Sequence, residues 1–247
     1  MNKIIVLLLV TGAFLTGCAS PSVEVSEVYQ KIELPSQESS GLYGEILLDL
    51  GNSALEEDAE LSDTLSKWKE INRDVCALLL VESLGIIEPV VKPKVDNKEY
   101  LRKNIYGADS LAGTVFLDYR CDINSSPIKM FHGHNMKDGT MFANLPDLFY
   151  VDGFEEPVDI ELYLEGGKAV YRVFSVVSVD SKEEALPIDM LQDGSDVRSI
   201  LDDLLERSVV SGGTIFSNDA VILNTCWYGK NGSERNLHCI VAASRVL

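Results

Sequence analysis

Two segments carry side chains capable of covalent chemistry near neutral pH. One is Ile222-Leu223-Asn224-Thr225-Cys226, with Arg235 nine residues further on; the other runs Phe131-His132-Gly133-His134-Asn135-Met136-Lys137-Asp138-Gly139-Thr140-Met141-Phe142. Each places a reactive group at the end of an apolar run, where a rigid strand hands the chain to solvent. Cysteine attacks as its thiolate, which a nearby guanidinium favours, and the same guanidinium can donate to a developing oxyanion. Between Cys226 and Arg235 lie Gly229, Lys230, Asn231, Gly232 and Ser233, loop chemistry flanked by strand-like runs, so the spacing predicts an antiparallel hairpin. A loop over residues 228–233 would set Cys226 directly opposite Arg235, with Cβ atoms about 5 Å apart. The plainer alternative is a structural cysteine beside a surface arginine.

His134 supplies the acid/base group that thiolate chemistry needs: an imidazole can protonate a leaving amine and later take a proton from an incoming one. It lies 92 residues from Cys226, so the fold has to bring them together. Alternatively, His132 and His134 are a loop pair, or join His238 at a metal; no neighbouring carboxylate or thiol completes a recognisable ligand spacing.

These groups need elements to hold them. Leu61, Leu65, Trp68, Ile71, Val75, Leu78 and Leu79 recur every three or four residues, which predicts an amphipathic helix from about Leu61 to Leu84, capped by Ser62 or Asp63. Beyond Gly85, β-branched and aromatic runs predict strands at Ile86–Val91, Thr114–Tyr119, Ile128–His132, Val158–Leu164, Ala169–Val179, Ala220–Cys226 and Leu237–Val246. Pro93, Gly107, Asn124-Ser125-Ser126-Pro127, Gly166-Gly167 and Gly232 punctuate them. A short helical stretch near Met141–Leu148 and a longer one over Ser195–Ser208 interrupt the strands. Seven or more strands with turn signals imply a sandwich or a closed barrel with helical insertions.

The residues from Gly133 to Phe142 resemble the histidine motif of class B sortases, and Leu223-Asn224-Thr225-Cys226 is similar to their Leu-x-Thr-Cys nucleophile motif. Pro89-Val90-Val91, Asp96-Asn97-Lys98-Glu99-Tyr100-Leu101 and Gly113-Thr114-Val115-Phe116-Leu117-Asp118-Tyr119-Arg120 resemble the early barrel strands of that family in the same order, and the likeness runs from about Ser66 to the C-terminus. The resemblance implies a mainly β fold: an eight-stranded sortase-type barrel with N-terminal helices and a helix in the loop before the nucleophile strand. It implies a cysteine transpeptidase without a cofactor, acting on an Asn-Pro-x-Thr type sorting motif near the C-terminus of a secreted protein. A thioester on Cys226 would pass to an amine of peptidoglycan or its lipid-linked precursor, or to a pilin lysine. By the same resemblance His134 is general acid and base, Arg235 orients substrate and stabilises the oxyanion, and Asn97, Leu101, His132 and Asn224 reach the peptide. Here His132 stands where the family commonly has tyrosine, and Asn236 is an additional residue between Arg235 and the last strand, with Arg245 as the alternative arginine. A non-catalytic surface lipoprotein that keeps the barrel to bind peptide or cell wall is the alternative reading.

The N-terminus carries an address. Met1-Asn2-Lys3 precedes unbroken aliphatic residues from Ile4 to Val10, and Leu15-Thr16-Gly17-Cys18 resembles the lipobox of bacterial lipoproteins. The stretch is shorter than the roughly 20 apolar residues that span a bilayer. Residues 1–17 thus read as a signal peptide and Cys18 as the lipidated N-terminus, two acyl chains being what stable anchoring needs; a signal anchor is the alternative. This predicts the outer face of a bacterial cytoplasmic membrane. The 247 residues carry 21 basic and 39 acidic groups, a net charge of −18, which excludes a phosphate-backbone footprint and hence nucleic acid. Residues 18–63 hold eleven acidic side chains and one basic, a self-repelling spacer with some helix, ahead of a catalytic domain over 64–247. Of the five cysteines, Cys76, Cys121 and Cys239 read as small buried hydrophobes.

Overall fold

The structure, a computed structural model, describes residues 54–154 and 156–246; the expected signal peptide, Cys18 and the acidic segment up to residue 53 lie outside the described residues. Helix α1 (Ala54–Ile71) leads into strand β1 (Val75–Val81), followed by β2 (Ile86–Val91), β3 (Phe116–Leu117), β4 (Ile128–His132), β5 (Asp159–Leu164) and β6 (Gly167–Asp180). Helices α2 (Pro187–Gln192) and α3 (Val197–Glu206) then precede β7 (Ala220–Trp227) and β8 (Leu237–Arg245). The eight strands close into a barrel in the order β1-β2-β3-β4-β7-β8-β6-β5. Two neighbouring pairs, β2 with β3 and β4 with β7, are parallel, and the others are antiparallel.

Leu61, Leu65 and Trp68 lie along one stripe of α1 and are buried against the outside of the barrel. Their partners are Val75, Leu78 and Leu80 of β1, Val91 of β2 and Tyr163 of β5. The opposite side of β1, with Ala77, Leu79 and Val81, faces the barrel interior. A strand covered on both sides reads as an unbroken apolar run, which periodicity alone does not separate from a buried helix. That is why the expected helix ran on to Leu84, whereas the chain leaves α1 at Ile71 and turns through Asn72 into β1. Asn72 makes the turn, accepting from the Asp74 N–H and donating to the Ile105 carbonyl and the Tyr100 hydroxyl. Ser62 and Asp63 are interior residues of α1 rather than caps, Asp63 pairing with Lys67 one turn on.

The main buried cluster is built of apolar side chains on the barrel strands and the segments packed against them, among them Met130, Phe131, Phe142, Tyr171, Phe174, Ile222 and Val241. Each fully buried side chain of this size is worth about 1.5–3 kcal/mol. Helix α3 is capped by Asp196, which accepts from the Ser199 N–H, and buries Ile200, Leu201 and Leu204 on the core. It lies ahead of the β7 strand that ends in Cys226. Three local expectations change. The helical stretch near Met141–Leu148 is a 3-10 turn over Leu145–Tyr150, α2 was not foreseen, and β3 is reduced to two residues.

Candidate active site

Cys226 is the penultimate residue of β7 and is exposed. Partial desolvation of its sulfur pushes the thiol above its ordinary value, so the resting group is a protonated thiol at neutral pH. Directly across the β7–β8 ladder stands His238, and the hairpin closes at Trp227 opposite Leu237. The antiparallel hairpin is as expected, but its loop covers residues 228–236 and the partner of Cys226 is not Arg235. The difference arises at Asn236, in a left-handed conformation at φ 68°, whose carbonyl accepts from both the backbone N–H and hydroxyl of Ser181. Held to the end of β6, Asn236 belongs to the turn and β8 begins one residue later. Arg235 is left in the exposed loop with its guanidinium 5.6 Å from the ring centre of Tyr228. Arg245 is no substitute. It ends β8 at the other rim of the barrel, paired with Asp219.

His134 lies in the loop after β4, and Nε2–H donates to the carbonyl of Leu101 at 2.9 Å. A carbonyl only accepts, so the neutral ring carries its proton on Nε2 and offers Nδ1 as the reactive atom. Three hydrogen bonds bring this loop to the nucleophile strand and shape it. Asn135 Nδ2 donates to the carbonyl of Cys226 at 2.9 Å, the Gly133 N–H donates to the carbonyl of Asn224, and the Phe142 N–H donates to the carbonyl of His134. Parallel pairing of β4 with β7, His132 opposite Asn224, sets both reactive segments at the same rim. Gly133 is required here, since a Cβ would come within 2.7 Å of the buried Phe142 ring. A cleft of about 470 Å³ lined by Asn135, Met136, Lys137, Asp138 and Tyr228 opens beside these residues.

Sequence reasoning did not find the polar row beneath. Asp118, at 0% exposure, accepts from the Arg120 guanidinium through both carboxylate oxygens, from Asn97 Nδ2 at 2.8 Å and from His132 Nε2 at 3.1 Å. Burial alone would push the Asp118 carboxyl up, but the hydrogen bonds from Arg120, His132 and Asn97 outweigh it and hold the group well below the usual carboxylate range. Arg120 also pairs with Asp189 of α2. Asn224 Nδ2 then donates to His132 Nδ1 at 2.9 Å, and His238 Nδ1 donates to Asn224 Oδ1 at 2.7 Å.

Of the four residues expected to reach a peptide, Asn97 and Asn224 therefore commit both ends of their amides to protein partners, Asn97 Oδ1 accepting from the Tyr119 N–H. His132 is committed at both nitrogens and stacks on Phe116. Leu101 packs partly on the α1 cluster and lends its carbonyl to His134. A second missed residue is Glu88 of β2, whose carboxyl is pushed up to about 8 by burial, against a hydrogen bond from the Met141 backbone in the histidine loop. No group of three or more His, Cys, Asp or Glu is gathered as a metal site among the described residues.

A thiol presented at a strand end, with an imidazole in a loop bonded to its own carbonyl, suits covalent acyl transfer, and the barrel that presents it is the sortase barrel. The X-ray structure of Clostridium perfringens sortase B superposes with a TM-score of 0.62 at 27% identity, covering 74% of this chain and 99% of that one. Staphylococcus aureus sortase B is 26% identical over 161 residues, 64% of this chain and 65% of the relative. Listeria monocytogenes sortase B is 36% identical over 93 residues, 36% of each chain. The matched region thus spans less than two thirds of either curated relative. No protein-family model matches the chain. In sequence and in fold the chain is thus similar to class B sortases.

Proposed function

We propose that the protein cleaves an Asn-Pro-x-Thr type sorting signal on a secreted protein and transfers the acyl group to an amine of peptidoglycan, or to a pilin lysine. The observation that carries this reading is the Asn135 bridge, which fixes the His134 loop to the backbone of an exposed Cys226. The Cys226 sulfur attacks the threonine carbonyl as its Sγ–H proton is lost to an imidazole; that proton reaches the departing amine from His134 Nδ1 as the C–N bond breaks, and a thioester remains. An incoming amine then loses a proton to His134, forms the new amide and expels the thiolate. Arg235, exposed on a loop anchored at Asn236, orients the peptide and donates to the oxyanion. On the peptide side of the site Leu101 is the apolar contact, while Asn97, His132 and Asn224, held by protein partners, shape the wall behind it.

Lipidation at Cys18 holds the enzyme at the outer face of the cytoplasmic membrane, with the acidic segment as spacer. Cys18→Ala then moves the protein from the membrane to the soluble fraction, and retention in the membrane favours the signal anchor. The catalytic reading is tested by incubating the protein with an Asn-Pro-x-Thr peptide library and seeking a hydroxylamine-sensitive adduct by mass spectrometry. The non-catalytic alternative instead predicts peptide binding that is unaffected by Cys226→Ala and no such adduct.

A further inference from the structure

The row Asp118, His132, Asn224, His238 has a direction. Asp118 is an anion that only accepts, so in neutral His132 the proton sits on Nε2 and Nδ1 is the lone pair. That lone pair needs a donor, which fixes the Asn224 amide with Nδ2 toward His132. Asn224 Oδ1 then faces His238 and accepts from its Nδ1–H at 2.7 Å. The outcome is an imidazole whose Nδ1 carries the proton and whose Nε2, on the side of the ring away from Asn224, keeps its lone pair, with no protein partner among the described residues. His238 and Cys226 are opposed residues on one face of the sheet, a placement that sets Cβ atoms about 5 Å apart.

We propose that His238 is a second imidazole of the reaction, the base that receives the Cys226 proton, and that Asp118, His132 and Asn224 are positioning residues that hold it in the tautomer this requires. In this step the Sγ–H bond breaks, the Nε2–H bond forms, and thiolate and imidazolium result; no other atom changes hands. That proton then moves on to His134 Nδ1, which delivers it to the departing amine, so the two imidazoles share one proton. The groups around His238 agree with a neutral resting ring. Burial pushes its pKa below the ordinary value, His132 on β4 adds to this, Asp180 at the end of β6 opposes it, and Cys226 on β7 is itself an uncharged thiol.

The inference rests on Cys226 as the nucleophile of the proposed function, but its test needs no sorting peptide. The full chain is treated with iodoacetamide across the neutral to alkaline range, and the rate is read on the Cys226 peptide by mass spectrometry. His238→Gln retains a donor for Asn224 but no comparable base, and His238→Ala opens a space that free imidazole can enter. Both variants should be alkylated about tenfold more slowly at neutral pH, with the profile displaced to higher pH, and imidazole should restore the rate of His238→Ala. If the folded Gln variant reacts at the parent rate with the parent profile, His238 is not the base. An intact adduct assay with unchanged alkylation would overturn this inference alone, whereas altered alkylation without any peptide adduct would overturn the proposed function alone.

Discussion

Asn135 donates from Nδ2 to the carbonyl oxygen of Cys226 at 2.9 Å, so the loop bearing His134 is fixed to the backbone of the residue it must serve, 91 positions away. Removing the bond leaves both elements folded but lets the imidazole drift. Asn135→Ala should lower kcat about tenfold or more with little change in KM, because a misplaced acid/base group costs the transition state rather than binding. Steady-state peptide cleavage measures both constants, and a change confined to KM would show that the bond serves substrate binding instead.

Gly133→Ala should destabilise the protein by about 1–3 kcal/mol, since the added methyl would meet the Phe142 ring at 2.7 Å and that ring is fully buried. Denaturant unfolding checks this. A wild-type midpoint would mean that Phe142 has room to move.

Glu88 gives a pH signature. Its folded pKa of about 8 lies above the ordinary 4.5, so folding favours the protonated form. The stability this contributes is fully present below pH 4.5 and is lost as pH rises through about 8. Glu88→Gln keeps an acceptor for the Met141 N–H and removes the titration. The stability difference between variant and parent should therefore grow across that window, with a slope of up to about 1.4 kcal/mol per pH unit. A constant difference at all pH values would place Glu88 in solvent.

Thr225 is buried, and its hydroxyl has no hydrogen-bond partner among the described residues. Thr225→Val preserves the shape and removes that orphan group, so thermal unfolding should show an unchanged or higher Tm, by up to about 1–3 kcal/mol of stability. A marked drop would reveal a partner for the hydroxyl.

Much of this was legible in the sequence because it depends on local pattern. The strands β2, β4, β5, β7 and β8 announce themselves as β-branched runs between turns, and His134 and Cys226 stand out as reactive groups at strand ends. What escaped depends on tertiary facts. β1 is covered on both sides, which erases its alternation, and the register of β7 on β8 turns on Asn236 being held to Ser181, 55 residues away. Asp118 and Glu88 look like ordinary acidic residues until the fold buries them. His238, set aside in the sequence as part of an unsupported metal set, gains meaning only once it stands opposite Cys226.

The central claim is that Cys226 forms a thioester with a sorting peptide. Intact-protein mass spectrometry after mixing with Asn-Pro-x-Thr peptides should show one acyl adduct that hydroxylamine removes and that is absent from Cys226→Ala. An adduct that persists in Cys226→Ala, or none with any peptide of the class, would contradict the account.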